Sequence, residues 1–319
     1  MTDRTTETPR TEPTSGSPYR EMAFPSGDST CDGWHFRATN SALWTDAGTP
    51  CVVMAHGLAG TKDSGLRPFA EALAAGGFDV LAFDYRGFGT SGGTPRQSVS
   101  MRRQVADYRA AMDAATALPG VDPTRLVLWG ASLSGGHVLA AAAERTDVAA
   151  VVALTPLVDG IAAARHAMRT HKPATMARSC TAAIRSGLAT LRGGRPAMIP
   201  VAGRPGEPAA LSLAGYYEDY LAMAGPSWRN EIDATVLTQL AGYRPARNAA
   251  QLRCPLLIQL ADYDRCAPPH AGAKAAFAAR AEVRHYPCDH FDVWPGKQWF
   301  DPAVEHQLTF LRRHLAEQE

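Results

Sequence analysis

Apolar residues along this chain follow two rhythms. Short apolar runs at 51–55, 78–83, 126–129, 148–154 and 255–260 have the length and composition of strands buried on both faces. Between them apolar positions recur mostly at three- and four-residue intervals, as in Val99, Met101, Val105, Tyr108 and Met112, the stripe of an amphipathic helix. Further helices are expected over 66–75 and 133–144, from about His270, and in a last segment whose start is signalled by Asp301 and Pro302. With a further strand at 282–286, this alternation predicts an α/β protein with a mostly parallel sheet and helices on both faces. Residues 22–39, with a turn at Pro25, Gly27 and Asp28, predict an antiparallel hairpin at the sheet edge.

The rhythm fails over 157–245, where Ala-rich helical stretches alternate with a loop at 193–207 that holds Gly193, Gly194, Gly203, Gly206 and three prolines. We read 157–245 as an inserted helical cap that divides a core of 19–156 and 246–319. Residues 1–18 are rich in Thr, Pro, Glu and Arg without an apolar run, which predicts a disordered tail and neither a secretory signal nor a membrane helix. With no long apolar run elsewhere, the expectation is a soluble, cytoplasmic protein.

Composition narrows the partners. The 32 basic side chains nearly cancel the 31 acidic ones, giving a net charge of +1, so whole-chain charge supplies no case for nucleic acid or an anionic membrane. The 6 cysteines are scattered without C-x-x-C pairs or zinc-finger spacing, and reduced thiols are expected.

The strongest chemical signal is Trp129-Gly130-Ala131-Ser132-Leu133-Ser134-Gly135-Gly136, placed between a predicted strand and a predicted helix. A nucleophile elbow needs that context, with small residues beside the serine because the turn is sharp. Gly130 meets the demand upstream; downstream Ser134 replaces the second glycine and is still small. Alone, the string fits a helix N-terminus with a capping serine. Its partners decide, because the chain order for such chemistry is serine, an acid after a later strand, then histidine after the final strand.

Both partners are present. The turn after 255–260 offers Asp262 and Asp264; Asp264, close before Pro268 and Pro269, is preferred, and Asp262 braces the turn. His290 follows the strand at 282–286, in a polar loop 26 residues after Asp264, whereas His285 lies on the strand itself. A serine hydroxyl becomes a competent nucleophile when an imidazole takes its proton, and the acid fixes the tautomer and stabilises the imidazolium. The backbone N–H groups of Leu133 and of Leu58, in His56-Gly57-Leu58-Ala59-Gly60, are the candidate oxyanion donors.

His56-Gly57 after one strand, Phe83-Asp84-Tyr85-Arg86-Gly87-Phe88-Gly89-Thr90-Ser91 after the next, and the elbow resemble bacterial α/β-hydrolase family proteins over about 50–156 and 246–319. The strings 55–63 and His290-Phe291-Asp292 look most like acyl hydrolases near the dienelactone-hydrolase and X-Pro dipeptidyl-peptidase-like branches. The resemblance implies the α/β-hydrolase fold and a serine hydrolase. Asp84 and Arg86 are read as bracing their loop through a charge-assisted hydrogen bond.

Residues and resemblance together predict cleavage of a carboxylic ester through an acyl-enzyme intermediate, on a small-molecule acyl substrate and with no cofactor or metal. Tyr216, Tyr217, Tyr220 and Trp228 of the cap, with Trp294, are expected to line an apolar acyl or aromatic pocket. A thioesterase, acyltransferase or amide hydrolase tailoring a secondary metabolite would use the same three residues. A non-catalytic ligand-binding protein on this fold is the third reading, and homodimerisation is left open.

Overall fold

In the computed structural model, which describes residues 17–170 and 173–316, the apolar runs become strands. In chain order these are β1 (Arg20–Ser26), β2 (Ser29–Phe36), β3 (Thr49–Ala55), β4 (Asp79–Phe83), β5 (Val121–Ala131), β6 (Val148–Leu154), β7 (Met198–Ile199), β8 (Ile232–Asp233), β9 (Leu256–Ala261) and β10 (Glu282–Tyr286). Eight of them form one sheet in the order β1-β2-β4-β3-β5-β6-β9-β10. The β1–β2 hairpin and the β2–β4 pairing are antiparallel, and every other pairing in this sheet is parallel. Every residue of β3, β4 and β9 is buried, as a strand covered on both faces requires.

The helices are α1 (Leu66–Ala75), α2 (Met101–Thr116), α3 (Leu133–Ala143), α4 (Gly160–Thr170), α5 (Pro173–Leu191), α6 (Tyr216–Met223), α7 (Val236–Gly242), α8 (Ala246–Ala249), α9 (Pro269–Ala279) and α10 (Phe300–Leu315). Helix α1 buries Leu66, Phe69, Ala70, Leu73 and Ala74, the stripe that an amphipathic helix lays on a sheet. It packs with α10 on one side, while α2, α3, α8 and α9 pack in succession on the other. Helix α2 begins at Met101 rather than Val99 because the Ser100 hydroxyl accepts from Arg103 N at 3.4 Å and caps the helix there.

Strands β6 and β9 are hydrogen-bonded neighbours, so the chain between them leaves the sheet and returns beside its point of departure. That excursion carries α4 to α8, and also the antiparallel ribbon β7–β8, which the all-helical expectation lacked. Buried Asp233 in β8 accepts from Ser186 Oγ at 2.7 Å and Ser98 Oγ at 3.0 Å, tying the ribbon to α5 and to the segment before α2. The tail expected at 1–18 lies outside the described residues except for Ser17 and Pro18. Among the described residues no helix is long and apolar enough to cross a membrane.

Candidate active site

The turn from β5 into α3 places Ser132 at φ 55°, ψ −118°, a left-handed conformation that a side-chain-bearing residue adopts only under constraint. The constraints are visible. Ser132 N donates to Leu154 O at 2.9 Å and Leu157 N donates to Ser132 O at 2.8 Å, so both ends of the residue are fastened to β6 and the chain beyond it. At Gly130 a Cβ would stand 2.3 Å from Ser134 O, which leaves room for glycine alone. Downstream, the Ser134 hydroxyl shares its proton between Ala55 O at 2.8 Å and His56 O at 2.5 Å and accepts from Tyr85 OH at 3.1 Å. The serine that replaces the usual glycine therefore bolts the elbow to the end of β3.

The loops after β9 and β10 meet beside it. His290 Nδ1 lies 2.7 Å from Asp264 Oδ2, with the two side chains only 3% and 2% exposed. The other oxygen of Asp264 accepts from Cys266 N at 2.7 Å and Ala267 N at 2.6 Å, which fixes the carboxylate. Burial lowers the His290 pKa, but the Asp264 charge and hydrogen bond, helped by the Asp289 charge, outweigh it, and the net shift is upward from 6.5. Asp262 and His285, the weaker candidates, bond to each other at 2.7 Å on the surface.

Ser132 and His290 line one cavity of about 380 Å³, together with Leu58, Leu133, Tyr216 and Trp294. That size is at the small end of ligand pockets, which run from roughly 300 to 1,000 Å³. Its far wall is the excursion: Gly160, Ala163, Ala164, Ala167 and Met168 present one stripe of α4, with Leu237 and Leu240 from α7. Small alanines on that stripe leave the space an apolar group would fill.

A second imidazole, His56, lines the same cavity. It stacks on Trp294 at 4.7 Å, and burial pushes its pKa down to about 3. An imidazole that holds a proton so weakly is a poor general base at neutral pH. His290 has the aspartate partner and the raised value; His56 has neither.

Helix α6 explains two tyrosines and corrects two other expectations. Tyr216 OH donates to Asp289 Oδ1 at 3.0 Å in the histidine loop, and Tyr220 OH donates to Leu58 O at 2.7 Å in the loop after β3. Both rings line the cavity, but Tyr217 and Trp228 do not. Tyr217, one residue round the helix from Tyr216, faces Arg204, whose guanidinium lies 4.5 Å from its ring. Trp228 stacks on Tyr220 at 5.0 Å, and no part of it reaches the cavity wall.

Asp289 was not foreseen from the sequence. Its carboxylate accepts from Arg265 N at 3.0 Å, Arg265 Nε at 2.6 Å and His290 N at 2.8 Å, joining the acid loop to the histidine loop. Asp84 and Arg86 do brace loops, each with its own partner: Lys62 Nζ donates to Asp84 at 2.7 Å, and Arg86 Nε to Asp107 at 2.5 Å.

A mostly parallel sheet, a strained serine at a strand-to-helix turn and a histidine, paired with a buried aspartate, on the wall of the same cavity are the features of an α/β hydrolase. The chain belongs to the α/β hydrolase fold family, whose model matches residues 50–297. It is similar to the quorum-quenching protein AidA of Acinetobacter baumannii, with 35% identity over 296 residues, 92% of this chain and 94% of that protein. It is also similar to the thiohydrolase aneE of Aspergillus aculeatus, 29% identical over 76% of this chain and 75% of that one. The crystal structure of the α/β hydrolase GrgF from Penicillium sp. sh18 superposes with a TM-score of 0.74, covering 94% of this chain and 99% of that one at 22% identity.

Proposed function

We propose that the protein hydrolyses carboxylic esters with an apolar acyl group, through an acyl-enzyme formed on Ser132. The carrying observation is that His290, bonded at 2.7 Å to buried Asp264, lines the same cavity as Ser132. In this reading His290 takes the Ser132 proton as Oγ attacks the acyl carbon, and Asp264 stabilises the imidazolium. The leaving alkoxide takes that proton and departs as the alcohol. Water, deprotonated in turn by His290, then attacks the acyl carbon; the intermediate collapses, the acid leaves, and His290 returns the proton to Ser132 Oγ.

The oxyanion falls to the N–H groups of Leu58 and Leu133. Leu133 opens α3, where backbone N–H groups have no partner within the helix. Gly57 lets the other loop close in, since a Cβ there would come within 2.9 Å of Ser132 Cβ. Tyr216, Tyr220 and Trp294 hold the acyl group, and Tyr217 and Trp228 drop out of that role. The test is a stopped-flow assay with a p-nitrophenyl ester: a burst of p-nitrophenol matching the enzyme concentration is expected, and Ser132→Ala should abolish burst and turnover alike. Turnover surviving in Ser132→Ala would refute the acyl-enzyme route.

The likeness to a thiohydrolase over three quarters of each chain favours a second acyl donor, a thioester. Comparing kcat/KM for an ester and a thioester of the same acyl group decides between them.

A further inference from the structure

The net charge of +1 hides an uneven distribution. Residues 160–206 contain 7 arginines and 1 lysine and neither aspartate nor glutamate, so the remainder of the chain is net negative. Exposed apolar side chains concentrate in the same stretch. Of the nine large hydrophobic residues exposed among the described residues, five (Met168, Ile184, Leu188, Leu191 and Met198) belong to it, and Leu191 is 85% exposed.

On α5 and the turn that ends it the two features are ordered. Ile184, Leu188 and Leu191 are spaced four and three apart and share one face; exposed Arg178 and Arg185 on the helix and Arg192 in the turn, each seven apart, form the adjoining stripe. Buried Ala183 and Ser186 turn the opposite side to the protein. The apolar face continues to the cavity, because exposed Met168 and Cys180 also line it.

We propose that the α4–α5 face is a peripheral docking surface for an anionic lipid bilayer, which holds the cavity mouth against the membrane. A surface helix that sets leucines and isoleucine beside arginines gains from both parts of such an interface: apolar side chains leave water and cations meet lipid headgroups. An acidic protein would answer the arginines alone. The apolar residues at the mouth fit a surface that yields to them. This docking is independent of the chemistry at Ser132.

The whole chain is tested by flotation with vesicles of phosphatidylcholine alone and of phosphatidylcholine and phosphatidylglycerol in equal parts. Binding is expected only to the second, and should vanish near 1 M salt, where screening acts over about 3 Å. Each cation near an anionic surface is worth about fivefold in affinity, so Arg178→Gln/Arg185→Gln/Arg192→Gln should weaken binding roughly a hundredfold. Ile184→Ser/Leu188→Ser/Leu191→Ser should weaken it as well, with circular dichroism and unfolding temperature unchanged in both variants. Equal binding to both vesicle types, binding that survives both triple substitutions, or a match in affinity by soluble polyaspartate would overturn the proposal; the last would assign the face to an acidic protein.

Discussion

Two histidine–aspartate pairs stand at the same end of β9 and β10, with equal bond lengths of 2.7 Å. His290 and Asp264 are 3% and 2% exposed; His285 and Asp262 are 56% and 38% exposed. Distance is therefore not what separates them. Water around the outer pair screens its attraction and competes for its hydrogen bond, whereas the inner pair keeps both. The inner carboxylate is held by two backbone N–H groups, and its histidine shares a cavity wall with a strained serine. Burial and company, rather than contact, make one pair a candidate for catalysis.

The largest effect expected from breaking this contrast is at Asp264. Asp264→Asn removes the charge that stabilises the His290 imidazolium and favours the wrong tautomer, and kcat for an ester should fall by about 10⁴. A loss under tenfold would remove Asp264 from the mechanism. A smaller effect is expected at the loop after β3: Tyr220→Phe deletes the hydrogen bond to Leu58 O, worth about 1 kcal/mol, so kcat should drop roughly five- to tenfold while KM stays near its starting value. A change confined to KM would make Tyr220 a substrate contact only.

The pH dependence of catalysis reports on the inner pair. His290 must be neutral to accept a proton, and its pKa is raised from 6.5, so kcat/KM should fall as pH drops through a value above 6.5. In Asp264→Asn the limb should move to lower pH. The sign for stability is the reverse: a raised folded value means that the pair's contribution is complete below the unfolded value and is lost as pH rises through the folded one. At the outer pair the expected effect is smallest. Asp262→Asn should leave kcat within about twofold and cost no more than about 1 kcal/mol in denaturant unfolding.

The sheet and its helices could be read from the chain because short buried strands and amphipathic stripes are local patterns; 66–75 became α1 with the expected bounds. The three candidate catalytic residues were equally readable, since the elbow is a local string and parallel strands bring successive loops to one rim. Asp289 escaped notice because its partners, Arg265 and Tyr216, come from two other segments. The separation of Tyr217 from Tyr216 and Tyr220 was available in principle: residues four apart share a helix face, and the one between points away. Trp228 sits in a loop without period, and two-residue strands such as β7 and β8 leave no alternation to detect. Whole-chain charge concealed the basic segment because the acidic residues that balance it lie elsewhere.

In the proposed route His290, and no other imidazole, activates Ser132. The most direct test of that role is the rate of covalent labelling by a fluorophosphonate, followed by intact mass, in the wild type and in Ser132→Ala, His290→Ala, His285→Ala and His56→Ala. One adduct is expected on the wild type and none on Ser132→Ala, with labelling slowed by about 10³ or more in His290→Ala and near the wild-type rate in His285→Ala. Labelling of His290→Ala at the wild-type rate, or its loss in His56→Ala with folding intact and His290 in place, would remove His290 as the base.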